Sequence, residues 1–169
     1  MSAVLILFWA SLAIIVYTLV VFPLLVAVRA VLFTREVQTA DDTPTVCVII
    51  AAYNEERHIG QRIANLLACD YPADQLEIIV ASDGSSDATV TNASSYETEN
   101  VKVLDLPRAG KFNALNQAVN SAKGDVLVFT DANTHFAESA IRNLVRPLAD
   151  PQVGGVAGNQ IYTRDDASS

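Results

Sequence analysis

From Thr45 onward, short unbroken apolar runs alternate with segments whose apolar residues recur at helical spacing, and this rhythm limits the chain more than any other feature. Val46-Cys47-Val48-Ile49-Ile50 is followed by Ile59, Ile63, Leu66 and Leu67, one helical turn apart. Leu76-Glu77-Ile78-Ile79-Val80-Ala81 is a second strand after the break at Tyr71-Pro72, residues 87–99 read as a polar helix of poor propensity, and Val101-Lys102-Val103-Leu104 is a third strand. Phe112, Leu115, Val119 and Ala122 mark the face of the next helix, which Gly124 ends before Val126-Leu127-Val128-Phe129, a run that reads as a strand buried on both faces. Ile141, Leu144, Val145 and Leu148 trace a last helix, kinked or ended by Pro147, and the glycine-rich stretch 153–162 reads as either strand or loop. Alternation of this kind builds an α/β fold, a mostly parallel sheet with helices on both faces.

Three of the strand runs end abruptly in polar residues. Tyr53, Asn54 and Glu55 follow the first, Asp83 the second, and Asp131 with Asn133 the fourth. Parallel strands bring their carboxyl ends to one rim, where ligands bind in open α/β sheets. Asp131 and Asn133 offer the oxygen donors that Mg²⁺ or Mn²⁺ prefers. Each residue also has a plainer reading: Asp131 as a turn and helix cap, Asp83 as an Asx-turn, Glu55 as an acid in a helix's first turn, and Asn54 as its N-cap. Lys111, after Gly110 at a helix start, stands where backbone N–H groups and an ammonium meet a diphosphate, or is a solvated lysine. No G-x-G-x-x-G follows a strand, and Gly110-Lys111 lacks the spacing of a P-loop, so dinucleotide cofactors and P-loop chemistry are not expected. His58 and His135 have no ligand-like spacing and are expected at the surface or as caps.

The N-terminus is of another character. Ser2 to Val28 is 27 residues without a charge, which as a helix reaches ~40 Å, more than the ~30 Å that a hydrocarbon core requires. The absence of a basic residue before it, and of a small-x-small cleavage site after it, favours a retained anchor over a signal peptide. Pro23 is expected to kink its far end. Arg29 and Arg35 flank only the C-terminal side, so the positive-inside rule puts the remainder of the chain in the cytoplasm, at the inner membrane if the cell is bacterial. The expected organisation is a single-pass membrane anchor over 1–33, a polar linker over 34–44 and one domain over 45–169. The excess of apolar residues in the anchor lifts the mean hydropathy to +0.29. A net charge of −8 with no basic stripe excludes a nucleic-acid binder. Cys47, inside a strand run, is expected as a free buried thiol. Asn92-Ala93-Ser94 fits the glycosylation acceptor pattern, inert on the cytoplasmic side.

Val48-Ile49-Ile50-Ala51-Ala52-Tyr53-Asn54-Glu55-Glu56, Ala81-Ser82-Asp83-Gly84-Ser85-Ser86-Asp87, Gly110-Lys111-Phe112-Asn113-Ala114-Leu115-Asn116 and Phe129-Thr130-Asp131-Ala132-Asn133, in this order, resemble family 2 glycosyltransferases over residues 45–160. The resemblance implies a Rossmann-like GT-A fold that takes a nucleotide-diphosphate sugar, usually a UDP-sugar, with Mg²⁺ or Mn²⁺. It implies that Ala52, Tyr53 and Glu55 line the nucleoside pocket, that Asp83 contacts base or ribose, and that Lys111 lies near the diphosphate. Asp131 would be the first acid of the D-x-D signature and meet the metal, with Asn133 in the place of the last. The membrane helix resembles the polysaccharide-synthesising branch, which implies a glycan or lipid-linked acceptor and an inverting transfer.

The sequence also departs from that family. Ala51 stands where Pro is frequent and Ser82 where a first Asp is frequent, while Asn133 gives up one negative charge at the metal. The family's later general-base Asp and Gln-x-x-Arg-Trp motif do not occur before Ser169, and the single tryptophan is Trp9. The expectation is therefore an N-terminal portion that holds the donor-binding half, binds nucleotide weakly and transfers little. Two alternatives stand beside it: a non-catalytic membrane-tethered domain, and a sugar nucleotidyltransferase, whose Gly-rich basic signature after strand one is missing from residues 51–56.

Overall fold

The computed structural model describes residues 2–33 and 35–161, which divide between Val37 and Gln38 into two compact units. The first unit is one long helical rod. Helix α1 (Ala3–Val16) passes through a π-helical turn, Tyr17–Val21, into α2 (Phe22–Leu32). The π turn has a cause in the sequence. Pro23 has no N–H to give to the carbonyl four residues earlier and its ring crowds that position, so the ladder widens by one residue instead of breaking. The rod Ala3–Leu32 is long and apolar enough to cross a membrane, and none of it is buried within the protein.

The second unit carries four parallel strands: β1 (Val46–Ala52), β2 (Leu76–Asp83), β3 (Val101–Leu106) and β4 (Val126–Asp131). Their order across the sheet is β3-β2-β1-β4, all pairs parallel. The chain therefore builds outward from β1 to β3, then returns to the far side of β1 to add β4. In open α/β sheets such a reversal is where ligands bind, here beyond the carboxyl ends of β1 and β4.

Alternation along the strands splits the core in two. Val46, Val48 and Ile50 of β1, with Ile78 and Val80 of β2, face Ile59, Ile63 and Leu66 of α3 (Ile59–Leu67), Ala93 of α4 (Thr89–Ser94) and Ile141 and Val145 of α6 (Ala140–Val145). Cys47, Ile49, Ile79 and Ala81 face Ala114 and Ala118 of α5 (Lys111–Ser121) on the other side. Helices thus cover both faces, and the central strands β1 and β2 are almost wholly buried. Gly124 lets the chain pass hard against β1: a Cβ there would sit 2.5 Å from the backbone nitrogen of Cys47. Cys47 and Cys69 are both free and buried.

Several expectations change. Among the described residues the run Val126–Phe129 is an edge strand bonded only to β1, half-covered, with Phe129 55% exposed; four apolar residues in a row do not by themselves say how many neighbours a strand has. On α5 the buried face is Ala114 and Ala118, with Leu115, Val119 and Ala122 packed beside them, while Phe112 is 83% exposed in the first turn. The polar helix shrinks to the six residues of α4, as its low propensity allows. Helix α6 ends at Val145 and tightens into a 3₁₀ turn, Arg146–Ala149, that accommodates Pro147 near its start. Residues 153–161 form neither helix nor strand, and Tyr162 lies outside the described residues. The polar stretch before β1 is tied to the turn after α6: the Gln38 N–H donates to Asp150 Oδ2 at 3.2 Å and the Ala40 N–H to the Arg146 carbonyl at 3.3 Å.

Candidate functional site

The loops after β1 and β2 are sewn to each other. Asn54 adopts a left-handed conformation (φ 54°), one that asparagine tolerates better than most residues. This aims its side-chain oxygen at the next loop, where it accepts from the Ser86 N–H at 2.9 Å. Asn54 is therefore a cross-brace and not the helix cap expected; the residue preceding α3 is His58. The Glu55 N–H donates to Thr89 Oγ1 at 2.7 Å, and Glu55 Oε2 lies 3.0 Å from His58 Nδ1. Glu56 completes the seam, its N–H donating to Asp87 Oδ2 and its Oε2 accepting from the Ala88 N–H. Asn92, the glycosylation-like asparagine, donates its amide to the Glu56 carbonyl at 2.9 Å. Hydrogen bonds from Thr89 hold the Asp87 carboxyl below its usual range against the opposing effect of desolvation. Much of the pattern Asn-Glu-Glu and Ser-Ser-Asp is thus structural: it satisfies the backbone groups of two loops that have no strand partner.

Asp83 ends β2 and is 7% exposed. Its Oδ1 accepts from the backbone N–H groups of Ala109, at 2.7 Å, and Gly110, at 2.8 Å. Gly84 (φ 66°) lies so close behind that a Cβ would come within 2.7 Å of Arg108 N. Together they fix the course of residues 107–110, which sets two cations at the rim. Arg108 lies with its guanidinium carbon 3.5 Å from the centroid of the Tyr53 ring, a cation–π stack. Lys111 opens α5 and reaches Asp131 Oδ1 at 2.6 Å.

Every residue expected at the site therefore lies along the carboxyl edge of the sheet. Ala52, Asp83 and Asp131 are the last residues of β1, β2 and β4; Tyr53 and Glu55 follow β1, and Lys111 opens the helix that leads into β4. Register sets Asp131 opposite Ala51, with Ala52 opposite Ser82. Lys111 and Asp131 touch; Tyr53 touches Arg108; Glu55 and Asp83 bond instead to their neighbouring loops. Ala132 is buried, whereas Asp131 and Asn133 on either side of it are exposed. Among the described residues no three His, Cys, Asp or Glu side chains gather to hold a metal. Asp131 and Asn133 offer two oxygens, a donor set that suits a hard cation completed by ligand oxygens. Sequence reasoning does not single out Arg108. Its only signal there is a positive charge just before Gly-Lys, and its partner Tyr53 is 55 residues away.

Comparison with known proteins gives a consistent picture. The family model for glycosyl transferase family 2 matches residues 47–168. The chain is 30% identical over 118 residues to the beta-monoglucosyldiacylglycerol synthase of Synechocystis, covering 67% of this chain and 25% of that protein. It is 32% identical over 139 residues to the poly-beta-1,6-N-acetyl-D-glucosamine synthase of Staphylococcus aureus, covering 75% and 33%. The chain thus spans a quarter to a third of the length of these curated relatives. Among solved structures, the mannosyltransferase PcManGT of Pyrobaculum calidifontis, in complex with GDP-Man and Mn²⁺, aligns with a TM-score of 0.67 at 34% identity, over 78% of this chain and 41% of that one. S. aureus TarS in complex with UDP-GlcNAc aligns with a TM-score of 0.54 at 27% identity, over 59% and 29%.

Proposed function

The chain belongs to glycosyl transferase family 2, and from that premise we propose that its sheet rim is the donor-binding part of a membrane-tethered, metal-dependent, inverting transferase. The donor is a nucleotide-diphosphate sugar, with UDP as the nucleotide, and the acceptor a growing glycan or a lipid-linked one. The observation that carries the reading is the meeting of Lys111 and Asp131 at 2.6 Å at the carboxyl rim where the strand order reverses. The family relatives and the GT-A-like solved structures support it.

Tyr53 offers a flat ring to a base, with Ala52 small enough to leave room beside it and Glu55 at the edge of the same loop. Asp83 serves the nucleoside by fixing the loop that carries Arg108 and Lys111. Lys111 sits at the N-terminus of α5, where its ammonium and the free N–H groups of the first turn favour a diphosphate. Asp131 and Asn133 would hold Mg²⁺ or Mn²⁺ together with ligand oxygens, and such an ion supplies positive charge to the leaving diphosphate. Lys111 pairs with Asp131; with donor bound, the ammonium would be available to the diphosphate and the carboxylate to a divalent cation. Direct displacement at the anomeric carbon would invert it and needs a base at the acceptor hydroxyl. The positive-inside rule, applied to Arg29 and Arg35 on the C-terminal side of the apolar rod, supports a cytoplasmic domain, where activated sugars are available.

The nucleotide choice is tested by competition. With Mn²⁺ present, UDP should displace a fluorescent UDP-sugar analogue from the full chain in detergent at lower concentration than GDP does. GDP displacing it equally well or better would overturn the uridine reading.

A further inference from the structure

Arg62 is, among the described residues, the one large charged side chain sealed inside this domain's core: it projects from α3, is 2% exposed, and ranks among the largest fully covered side chains. Among the described residues no carboxylate pairs with it. Its Nη2 donates to Thr130 Oγ1 at 2.8 Å and its Nη1 to Asn65 Oδ1 at 2.8 Å, while the guanidinium lies 4.2 Å from the Phe136 ring centroid. Its Nε, also buried, has no hydrogen-bond partner among the described residues. Burying a charge on these terms costs stability that an apolar side chain of the same size would not. Packing is therefore no reason to have arginine here.

What the guanidinium touches supplies the reason. Thr130 immediately precedes Asp131, and its hydroxyl reaches the Asp131 carbonyl at 3.5 Å. Asn65, one turn along α3, clamps the backbone on the other side of the loop: its Oδ1 accepts from the Phe136 N–H at 2.8 Å and its Nδ2 donates to the Phe136 carbonyl at 2.9 Å. Asn65 Nδ2 also stands 3.3 Å from His135 Nε2. The segment 131–135, with Asp131 and Asn133, is thus pinned at both ends by one fork from α3. Only a planar guanidinium reaches two acceptors on separate elements in fixed directions. Among the described residues no carboxylate neutralises it, so its field also favours negative charge at the end of β4, beside Asp131, where a diphosphate would bind.

We infer that Arg62, acting through Thr130 and Asn65, is a positioning residue that fixes the geometry and charge of the Asp131–Asn133 metal and diphosphate locus. This rests on the donor-site reading above. It extends that reading to a buried group outside the rim.

The test uses the full chain in detergent, with UDP titrated in the presence and absence of Mn²⁺ and thermal melting followed alongside. Thr130→Val keeps the side chain's shape and removes the oxygen that Nη2 holds; Thr130→Ser keeps the oxygen and trims a methyl. Thr130→Val should lose most of the affinity gain that Mn²⁺ confers, about tenfold or more, with UDP binding in chelator little changed. Thr130→Ser should retain the gain. Asn65→Ala, which frees Phe136 and leaves Thr130 intact, should reproduce the loss. Equal Mn²⁺ gains in wild type, Thr130→Val and Asn65→Ala, with only the melting temperature lowered, would overturn the inference and leave the donor site standing. A wild-type chain that gains nothing from Mn²⁺ would remove the donor-site reading, and this inference with it.

Discussion

Lys111 and Asp131 hold each other in water. Both side chains are more than half exposed, so the pair adds at most about 1 kcal/mol to stability. That weakness is useful, because either partner can exchange the other for a ligand at little cost. Lys111→Ala should therefore melt within a few degrees of wild type while binding UDP about tenfold more weakly, since a single charge-assisted contact is worth about 1.5 kcal/mol or more. Calorimetry beside a melting curve separates the two quantities. An unchanged affinity would make Lys111 a surface residue, the plainer of its two sequence readings. Arg108 behaves differently, because its stack covers one face of Tyr53. A base can use that face only if the guanidinium moves or becomes the upper half of a sandwich.

Among the elements, the loops after the strands matter most. Gly84 is the narrowest point: it combines a positive φ with a backbone contact that leaves no room for a Cβ. Gly84→Ala should destabilise the domain by about 1–3 kcal/mol. Because it also pushes residues 107–110 away from Asp83, it should weaken UDP binding further than Lys111→Ala does. A Gly84→Ala protein with wild-type melting and wild-type affinity would contradict this picture of the loop. The same loops show where sequence reasoning succeeds and stops. The strand–helix rhythm, the parallel sheet and the strand-end positions of Ala52, Asp83 and Asp131 were all legible, because period and chain order dictate them. What Asn54, Glu56 and Asp87 do was not, since their partners are about 32 residues distant and short polar side chains announce a turn without naming what they will bond. Arg62 and Phe112 were invisible for a related reason. Nothing local tells a buried arginine from a solvated one, or an exposed phenylalanine from one in the core. The status of β4 as an edge depends on sheet order, which the run Val126–Phe129 does not encode.

For the molecule as a whole, buried Cys47 and half-buried Glu77 both shape the pH dependence of stability. Burial, reinforced by Glu77, pushes the Cys47 thiol from 9.0 up to about 12. A group whose folded value is raised contributes stability in full below its unfolded value and loses it as pH rises toward the folded one. Desolvation would raise the Glu77 carboxyl, but Lys102 and the Lys123 N–H overcome it and hold the group below its ordinary 4.5. That contribution is present above 4.5 and is lost as pH falls through the lowered value. Melting temperature should thus be flat between about pH 5 and 8, fall below pH 4.5, and fall again above pH 9. Cys47→Ala should make the alkaline arm shallower, leaving the part that Cys69 and Tyr71, both also raised by burial, contribute. An alkaline arm unchanged in that variant would assign the loss to another group. Acidic overall at −8, the protein must concentrate its few cations where an anion binds, and the rim does so with Arg108 and Lys111.

The direct measurement is calorimetric titration of the full chain in detergent with UDP, in Mn²⁺ and in chelator, for wild type and Asp131→Ala. If strand ends grip a pyrophosphate through a divalent ion, wild type should release heat and bind at least tenfold more tightly with Mn²⁺, and Asp131→Ala should lose that gain while melting like wild type. A folded wild-type chain that gives no heat, or a variant that keeps the full Mn²⁺ gain, would contradict it.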